Sequence, residues 1–408
     1  MELLGPAGNL EKLKTAIRFG ADAVYCGAGT YSLRAPDTSF SLGDLAEGIR
    51  FAHDHRRKVY LAMNIFAFDE DFEEMIAYFK EAVDMGIDAV IVSDPGVIRR
   101  IRELGFETKI HLSTQANTTN SESVKFWRNQ GVDRIVVARE LSLSQVGAIK
   151  EKVPEMELEV FVHGAMCIAY SGRCLLSSFL NKRSANRGHC SQPCRWEYLL
   201  KEAVSREEQT IHEDVRGTYI LNSRDLCMIE HIPQMAAAGV DSLKIEGRMK
   251  TAYYVAAVTR VYRAALDSFC QFSMAYRFMP DWLDELKKVS HRPYTTGFYL
   301  PELANETEYM ADSSYIRGYD FVGIVDDHNL ESNILKIKVR NRVALGNVLE
   351  ILDPRCSDII KVSADMITDE KTGNSLEEAH NSYYVSVPVR LKNGCKISEH
   401  ALIRRKND

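Results

Sequence analysis

Five cysteines between positions 167 and 227 have the residue type and spacing best suited to unusual chemistry in this chain. Four thiolates that meet in a fold can hold a zinc ion or an iron-sulfur cluster. Either group would organise the structure around it and decide the chemistry of the site. The cysteines lie in the stretches GAMCIAYSGRC, RGHCSQPCRW and RDLC, as Cys167, Cys174, Cys190, Cys194 and Cys227.

Disulfides explain this accumulation poorly, because disulfide frameworks belong to small secreted chains. This chain has 408 residues and nine cysteines, and its first residues show neither a basic nor an apolar leader segment. We therefore expect a cytoplasmic protein with reduced thiols. Buried free cysteines that act as small hydrophobic side chains remain the alternative for the cluster. The same explanation is favoured for the isolated cysteines, Cys26, Cys270, Cys356 and Cys395.

The composition is that of a soluble globular protein, with 45% hydrophobic and 26% charged residues. The length predicts two or three domains. No apolar run approaches the roughly 18 residues of a membrane span, so we expect no membrane partner. The net charge of -6 argues against a nonspecific nucleic-acid binder with a basic overall surface. A local basic groove stays open, because the stretch from Arg173 to Arg195 is positive, although a solvated face usually explains such charges.

Short apolar segments alternate with amphipathic helical segments over residues 1–270, the predicted catalytic domain. Apolar strands that are each followed by a helix indicate a parallel sheet covered on both faces. Eight such units predict an α/β fold, a (β/α)8 TIM-like barrel. A doubly wound open sheet is the competing architecture. The eight segments read MELLG, ADAVYCG, KVYLAMN, DAVIVSD, KIHLST, DRIVVAR, LEVFVHG and DSLKIEG.

A cysteine-rich insertion, residues 164–222, separates the seventh predicted strand from the helix that should follow it. It includes a predicted hairpin in which RWEYLLKE pairs with GTYILN. Because the loops after the strands of such a barrel build the active site, we expect this enlarged loop to lie over the C-terminal mouth.

The pattern changes after residue 270. Residues 271–316 predict a short helix and a connecting arm, and residues 317–408 predict a small antiparallel β-barrel from their short alternating strands. Barrels of this kind often bind RNA, but the fold alone establishes no function. The chain contains no P-loop, Rossmann, H-E-x-x-H or G-x-S-x-G motif, so the corresponding chemistries have no support.

Polar residues at the ends of the predicted strands are candidates for the site by position. Helix caps and buried ion pairs occur at the same places, and Asp94 is better explained as a cap or turn residue. Glu246 and Arg248 in KIEGRMK are stronger catalytic candidates, because alternate residues could both point into the mouth and arginine suits a carboxylate or phosphate. The other candidates are Glu2, Asn64, His111, Ser113, Gln115, Arg139, Glu140 and His163, the last also nominated as catalytic.

The run EVFVHGAMCIAYSGRCLLS, residues 159–177, resembles the signature of the collagenase-like peptidase U32 family. The resemblance extends to MELLGPAGNLEKLKTAIRFGADAVYCG, NKRSANRGHCSQPCRW, SLKIEGRMK and HRPYTTGFY, and so covers nearly the whole chain. It includes the C-terminal barrel that long members of the family carry.

This resemblance implies an oxygen-independent hydroxylase with a [4Fe-4S] cluster held by four cysteines. Members of the family act on ubiquinone precursors, on the tRNA wobble uridine or on ribosomal RNA cytidine, and prephenate is linked to the RNA reactions. The length and the C-terminal barrel most resemble the tRNA uridine 5-hydroxylation branch. We therefore expect an enzyme that forms 5-hydroxyuridine at the wobble position, with tRNA as its partner and a paralogous subunit or an electron donor as further partners.

Carried over by resemblance, the cluster ligands are Cys167, Cys174, Cys190 and Cys227, and Cys194 is a reserve ligand because some members use a C-x-x-x-C pair. The irregular intervals suit an iron-sulfur site better than a zinc knuckle or ribbon. Arginines would hold phosphates or the carboxylates of prephenate, and aromatic rings would stack on bases. The predicted substrate-binding residues are Arg173, Arg183, Arg187, Tyr170 and Trp196, with Arg248 also available to such anions.

Two other functions stay open. A peptidase needs an activated nucleophile or a metal-bound water with a base in reach, and His163 and His189 are available as bases. Several neighbouring cysteines would be redundant for that chemistry. A noncatalytic subunit that binds RNA or assists assembly is the third alternative.

Overall fold

The computed structural model describes residues 1–33, 39–167, 169–196, 213–214, 217–218, 224–300, 315–356, 358–389 and 396–407. Eight parallel strands form its first unit: β1 (Glu2–Ala7), β2 (Ala23–Ala28), β4 (Lys58–Ala62), β5 (Ala89–Val92), β6 (Lys109–Leu112), β7 (Arg134–Val136), β8 (Glu157–Ala165) and β12 (Ser242–Ile245). A short strand, β3 (Ser39–Phe40), pairs with β2. Because β12 pairs with both β1 and β8, the sheet closes on itself. This closure confirms the predicted TIM-like barrel and excludes the open sheet.

Helices follow the barrel strands as predicted and cover the outside of the sheet. Among the residues described, no helix is both long enough and apolar enough to cross a membrane. The helices are α1 (Leu10–Arg18), α2 (Leu42–Asp54), α3 (Phe72–Asp84), α4 (Pro95–Glu103), α5 (Ser121–Asn129), α6 (Leu143–Lys152), α8 (Ile232–Ala237) and α9 (Ala252–Phe272), with α7 (Leu176–Asn181) inside the insertion.

Side-chain caps start several of these helices where the sequence supplies a short polar residue. The Asn9 side chain accepts from the Lys12 amide at the start of α1, and Ser142 forms a capping box with Gln145 at the start of α6. Asp94 accepts from the amides of Gly96 at 2.8 Å and Val97 at 3.1 Å. Its interpretation as a cap is therefore correct.

The interior of the barrel contains a buried ionic network instead of a purely apolar filling. Arg134 on β7 lies 2.5 Å from Glu2 on β1, 2.7 Å from Glu157 and 3.2 Å from Glu159, both on β8. Lys244 on β12 completes the ring, with its Nζ 2.7 Å from Glu159. Arg134 is only 5% exposed to solvent, and Glu159 is fully buried. The network therefore joins the first barrel strand to the last three, including the two strands that close the barrel.

Glu2, one of the strand-end candidates, belongs to this network. Burial alone would raise the pKa of its carboxyl, but hydrogen bonds from Arg134 and Tyr60 hold the pKa below its ordinary value. The Tyr60 hydroxyl donates to Glu2 at 2.7 Å. Glu2 is thus part of a buried ion pair, which the sequence analysis named as the other explanation for polar residues at strand ends.

The insertion and the arm after α9 add short strands beside the barrel: β9 (Glu213–Asp214), β10 (Gly217–Thr218), β11 (Asp225–Cys227) and β13 (Tyr294–Thr295). Helix α10 (Pro280–Leu286) is the predicted short helix after residue 270. Gly217 and Thr218, predicted to pair with residues 195–202, pair instead with β9. The rest of that predicted hairpin lies mostly outside the described residues.

The C-terminal region forms an antiparallel half-barrel, in agreement with the predicted class. Its strand order is β18-β17-β23-β14-β15-β22-β19-β20, around a core of its own that includes Val322, Ile337, Val385 and Ile403. The strands are β14 (Tyr319–Asn329), β15 (Ile334–Val339), β16 (Val343–Ala344), β17 (Val348–Leu352), β18 (Ile360–Ser363), β19 (Ile367–Asp369), β20 (Ser375–Leu376), β21 (Glu378–Ala379), β22 (Tyr384–Pro388) and β23 (Leu402–Lys406).

One fully buried arginine joins this half-barrel to the barrel. Arg404 on β23 pairs with Glu285 on α10 and with Glu350 on β17, and its guanidinium donates to the Tyr253 hydroxyl of α9 at 3.1 Å. Phe321 stacks on the Tyr253 ring, with the centroids 5.9 Å apart. The half-barrel therefore packs firmly against α9 and α10.

Replacing Arg134 by alanine should destabilise the protein by on the order of 3–5 kcal/mol, because Glu2 would be left buried without its cation and Glu159 would keep only Lys244. The measurement is the shift of the urea unfolding midpoint at neutral pH. The matched control is Arg99→Ala, which removes an exposed pair with Glu103 on α4 and should cost less than about 1 kcal/mol. Similar shifts for the two variants would contradict this account of the barrel interior.

Candidate functional site

The segment that follows β8 is folded by tight turns. It contains 3₁₀ turns at Tyr170–Gly172, Ala185–Arg187 and Pro193–Arg195, with α7 between the first two. Several residues adopt the left-handed conformation that permits such turns. They are Ser171, Gly172, Lys182, Gly188 and Gln192.

Two buried polar residues hold the cysteine-bearing turns together. The Ser177 hydroxyl of α7 lies 3.0 Å from the Ser191 hydroxyl and accepts from the Ser191 amide at 3.1 Å. The Asn186 side chain accepts from the Cys174 amide at 3.2 Å. Asn186 also accepts from the Phe66 amide at 3.1 Å through its carbonyl. The turn beside Cys190 is thereby attached to α7, and the backbone of Cys174 to the loop after β4.

Four of the clustered cysteines are accessible in this segment. Cys167 and Cys190 are exposed, whereas Cys174 and Cys194 are half-buried. The Gln192 amide donates to the Cys190 sulfur at 3.4 Å, and such a bond favours a sulfur that carries negative charge. Accessible thiols within 28 residues of chain suit a soft-metal site such as an iron-sulfur cluster.

Cys227, the fifth cysteine, lies in a different environment. It ends β11, which runs antiparallel to β8 and places Cys227 opposite His163. Burial raises the pKa of the Cys227 thiol to about 12. Cys227 is thus fixed on the barrel wall, while the other four cysteines lie in the segment above it.

Among the residues that the structure describes, no group of three or more His, Cys, Asp or Glu side chains is close enough to hold a metal ion. None of the eight cysteines within the described part of the chain forms a disulfide. The donor types and their position after β8 fit an iron-sulfur cluster. The assignment of Cys167, Cys174, Cys190 and Cys227, with Cys194 in reserve, stays a prediction.

A buried salt bridge fixes the strand that carries Cys227. Arg292 donates to Asp225 through Nε at 3.1 Å, through Nη2 at 2.8 Å and through its amide at 3.2 Å. The Asp225 amide in turn donates to the Pro293 carbonyl at 3.1 Å, and β13 pairs with β11 in parallel. This arrangement, the Asp225–Arg292 clamp, gives HRPYTTGFY a structural role that the sequence interpretation as an arm missed.

His163, one of the predicted catalytic residues, packs behind the barrel wall. Its ring lies 5.3 Å from Tyr294, 5.6 Å from Tyr262 and 6.0 Å from Tyr254, measured between centroids. Burial lowers the pKa of His163 to about 3. The β8–β12 register shifts next to His163, which explains why alternation did not predict the direction of its side chain. His163 therefore lies against α9 and β13 and is neutral.

Glu246 and Arg248, the other predicted catalytic residues, lie at the mouth. Arg139 comes from the end of β7, places its Nη2 3.8 Å from Glu246 and donates to the Ala165 carbonyl at 3.1 Å. The Arg248 guanidinium donates to the Ser32 hydroxyl at 2.6 Å. All three charged side chains are largely buried. The mouth thus contains two guanidinium groups and one carboxylate.

Gly164 is required where β8 meets this charged group. It has φ +103, and a Cβ there would lie 2.4 Å from the Glu246 carbonyl oxygen. The Tyr254 hydroxyl donates to the same oxygen at 2.9 Å. The glycine in the run VHGAM therefore allows the close approach that places Glu246.

Amide and hydroxyl groups form the opposite side of the mouth. The Asn64 side chain donates to the Ser113 hydroxyl and to the Gln115 amide oxygen, both at 3.2 Å. Glu140 accepts from the Ser171 amide at 2.6 Å and hydroxyl at 2.7 Å, which ties the insertion to the end of β7. His111 does not join them, because it packs inside the barrel with its ring 4.6 Å from Tyr60.

The predicted substrate-binding residues divide into two groups. Arg187 donates to both Asp71 oxygens, at 2.7 and 2.8 Å, and so has a structural partner that the sequence did not reveal. Arg173 lies 5.5 Å from the Phe66 ring centroid. Arg183, Tyr170 and Trp196 are exposed and open to a ligand.

The sequence analysis did not predict two exposed apolar side chains in the cysteine-rich segment, which also carries Tyr170 and Arg183. Phe179 is 86% exposed and Leu175 is 74% exposed, although both lie in the cysteine-rich segment. Leu175 immediately precedes α7 and Phe179 lies one helical turn later, so the two side chains lie on the same side of the helix start. The only signal in the sequence was this spacing, which equally suits a buried helix face.

Comparison with known proteins finds two family models. Residues 8–309 match peptidase family U32, and residues 317–404 match the C-terminal domain of peptidase family U32. Together the two matches include the barrel without its first strand, the cysteine-rich segment and most of the half-barrel.

Three similar proteins carry names of two kinds. The chain is 38% identical to tRNA hydroxylation protein P1 of Bacillus subtilis, over 99% of this chain and 94% of that protein. It is also 38% identical to tRNA hydroxylation protein P of Escherichia coli, over 87% and 86% of the two chains. A protein of Porphyromonas gingivalis named collagenase is 31% identical, over 96% and 95%.

Breaking the Asp225–Arg292 clamp should release the strand that carries Cys227. Arg292→Ala leaves Asp225 buried and unpaired, so we expect a loss of on the order of 3–5 kcal/mol and faster reaction of Cys227 with a thiol reagent. Urea unfolding and mass spectrometry of the labelled cysteines measure the two effects. The double variant Asp225→Leu/Arg292→Met removes both charges and should be less destabilised than Arg292→Ala. Equal labelling of Cys227 in Arg292→Ala and in the exposed control Arg277→Ala would disprove the clamp.

Proposed function

The chain belongs to peptidase family U32, and we propose that it is an RNA-modifying hydroxylase that acts on tRNA. The observation that carries this proposal is the accessible cysteine-rich segment beside a barrel mouth rimmed by Glu246, Arg139 and Arg248. Two relatives similar over most of their length are named tRNA hydroxylation proteins. A thiol cluster beside a charged pocket suits redox modification of a bound base better than hydrolysis.

The proposed cofactor is a [4Fe-4S] cluster. Cys167, Cys174, Cys190 and Cys227 would hold it, and Cys194 is the reserve ligand. When bound, such a cluster supplies one-electron chemistry. The Asp225–Arg292 clamp would keep Cys227 in place for this purpose, and the turn around Ser177 would do the same for Cys190.

The proposed substrate is the wobble uridine of tRNA, converted to 5-hydroxyuridine with prephenate as the linked metabolite. Bases of an anticodon loop are single-stranded and can leave the stack, so they can enter a pocket. Tyr170, Trp196 and Phe179 offer exposed rings on which bases can stack. Arg183 and Arg173 lie in the same segment and can approach phosphates.

Within the mouth, the charged groups have separate roles in this proposal. Arg248 would bind a carboxylate of prephenate, since a guanidinium matches a carboxylate with two parallel hydrogen bonds. The Glu246 carboxylate can accept from the N–H of a uracil ring and so orient it. Arg139, held against the Phe161 ring at 3.7 Å, places its positive charge beside the Glu246 carboxylate.

A peptidase is the second candidate, because one relative carries the name collagenase. Cysteine proteases activate their thiol with a neighbouring histidine. His163 is buried among tyrosines with its pKa lowered to about 3, so it is not placed to activate an exposed cysteine. Incubation of cluster-free protein with gelatin and casein tests this alternative, and turnover there would favour the peptidase.

Serine at each of the four ligand positions should remove the cluster. We expect Cys167→Ser and Cys174→Ser to lose iron, sulfide and visible absorbance after anaerobic purification, and to lose wobble modification in cells. Cys270→Ser is the control, because Cys270 is exposed and lies at the far end of α9. Full iron and full modification in both ligand variants would refute the cofactor proposal. Comparing Cys194→Ser with Cys190→Ser and Cys227→Ser identifies the reserve ligand, which alone should retain iron.

Removing the exposed rings should weaken tRNA binding without loss of iron. Base stacking contributes about 1–3 kcal/mol per ring, so Phe179→Ala and Tyr170→Ala should each raise the Kd for tRNA by roughly fivefold to a hundredfold. Filter binding at fixed salt measures the change. Phe126→Ala removes an exposed ring from α5, outside the cysteine-rich segment, and should bind tRNA as the unaltered protein does. Unchanged affinity in all three variants would show that the RNA docks elsewhere.

A further inference from the structure

A cleft of about 570 Å³ lies between the barrel and the half-barrel. The end of α1 and the loop between α2 and β4 form one wall, and the loops after β17 and before β23 form the other. The barrel residues of this cleft lie at the end of α1 and just before β4, where the chain approaches the N-terminal ends of the barrel strands. The cleft therefore opens on the face opposite the mouth.

Basic side chains dominate the lining of this cleft. Four of the ten lining residues are arginine or lysine, two are histidine, and Glu399 is the acidic one. The basic set is Arg18, Arg57, Arg355 and Lys396, with the imidazoles of His55 and His400. A chain whose net charge is -6 thus concentrates cations here.

Two of these cations have no ion-pair partner within 4.0 Å among the described residues. Arg18 is half-buried and lies over the Phe51 ring, with its guanidinium carbon 5.0 Å from the centroid. Lys396 is exposed at the rim. Burial lowers the pKa of Arg18, and the more distant Glu399 opposes that effect. A half-buried guanidinium without a nearby carboxylate is suited to receive an anionic ligand.

The other two cations are held in place by the protein. Arg57 lies 2.7 Å from Asp22, a carboxylate that also accepts from Arg263 at 3.0 Å. Arg355 donates to the Ser398 hydroxyl and to the Lys396 carbonyl. Arg263 also pairs with Asp267 at 2.7 Å, so Asp22 is left to compensate Arg57. Arg355 lies 3.9 Å from Asp353, and its hydrogen bonds fix its orientation. The uncompensated positive charge of the cleft therefore comes from Arg18 and Lys396.

We propose that this cleft binds the phosphate group of a ligand. Arginine is the side chain best matched to phosphate, because its planar fork makes two parallel hydrogen bonds. Arg18 approaches from the barrel and Lys396 from the half-barrel, so a bound phosphate would bridge the two. The phosphate can belong to the RNA backbone or to a small phosphorylated metabolite, since both present the same group.

This site is separate from the mouth. A six-residue strand such as β2 spans roughly 20 Å, so no ligand group in the cleft contacts Glu246 or the cysteine-rich segment. The inference therefore stands independently of the proposed hydroxylase function. A failed hydroxylation assay would leave it untouched.

The test compares Arg18→Ala/Lys396→Ala with a matched control, Lys80→Ala/Lys371→Ala. Both pairs remove two cations, and the control residues are exposed and lie outside the cleft. Calorimetry with pyrophosphate and filter binding with tRNA are run on the full chain, at equal ionic strength set with chloride. Circular dichroism and the urea unfolding midpoint show that each variant is folded.

We expect the cleft variant to bind at least one of the two probes about tenfold more weakly than the control. Loss of pyrophosphate binding alone identifies a small phosphorylated ligand. Loss of tRNA affinity together with a shallower salt dependence identifies the RNA backbone. Equal binding of both probes by the two variants, or no binding of either probe by the unaltered protein, would overturn the proposal.

Discussion

The buried network around Arg134 is the interaction on which the rest of the molecule depends. Charges inside a barrel are tolerated only when each has its partner, so Glu2, Glu159, Arg134 and Lys244 must meet at once. They come from the first, sixth, seventh and eighth barrel strands and cannot be satisfied in an open sheet. Closure in one register follows, and that register decides which residues reach the mouth.

Above this network, hydrogen bonds and ion pairs hold the cysteine-rich segment to the barrel more than apolar packing does. The cysteine-rich segment is joined to the barrel through polar bonds: Glu140 with Ser171, Asp71 with Arg187, and the Phe66 amide with Asn186. Its outward surface keeps exposed rings and thiols. A segment held in this way can present reactive groups without burying them. Cys227 is the exception, because it stands on a strand fixed by the Asp225–Arg292 clamp.

Local sequence patterns predicted the fold well. They could not predict the surroundings of side chains whose partners are distant in sequence. Apolar strands with capped helices identified the barrel, and Asp94 was recognised as a cap from its neighbours alone. Glu246 and Arg248 lie at the mouth because they directly follow the last barrel strand, while their catalytic roles stay predictions. The environment of His163 was not predictable, since a register shift next to it turns the ring toward α9. The pairing of Arg187 with Asp71 joins residues 116 positions apart, and no local pattern reports such a contact.

The pairing of β8 with β11 has a consequence for how this architecture can change. Ala165 and Asp225 are direct antiparallel partners, so the chain leaves the wall and returns to it within about 5 Å. Whatever lies between them closes a loop whose ends are already fixed, and the entropy of such closure grows only slowly with length. The stretch from 166 to 224 can therefore change in length between its attachment points without displacing β8 or β11. Insertions and deletions in this stretch would change the surface that the protein presents above the mouth, while the barrel wall keeps its register.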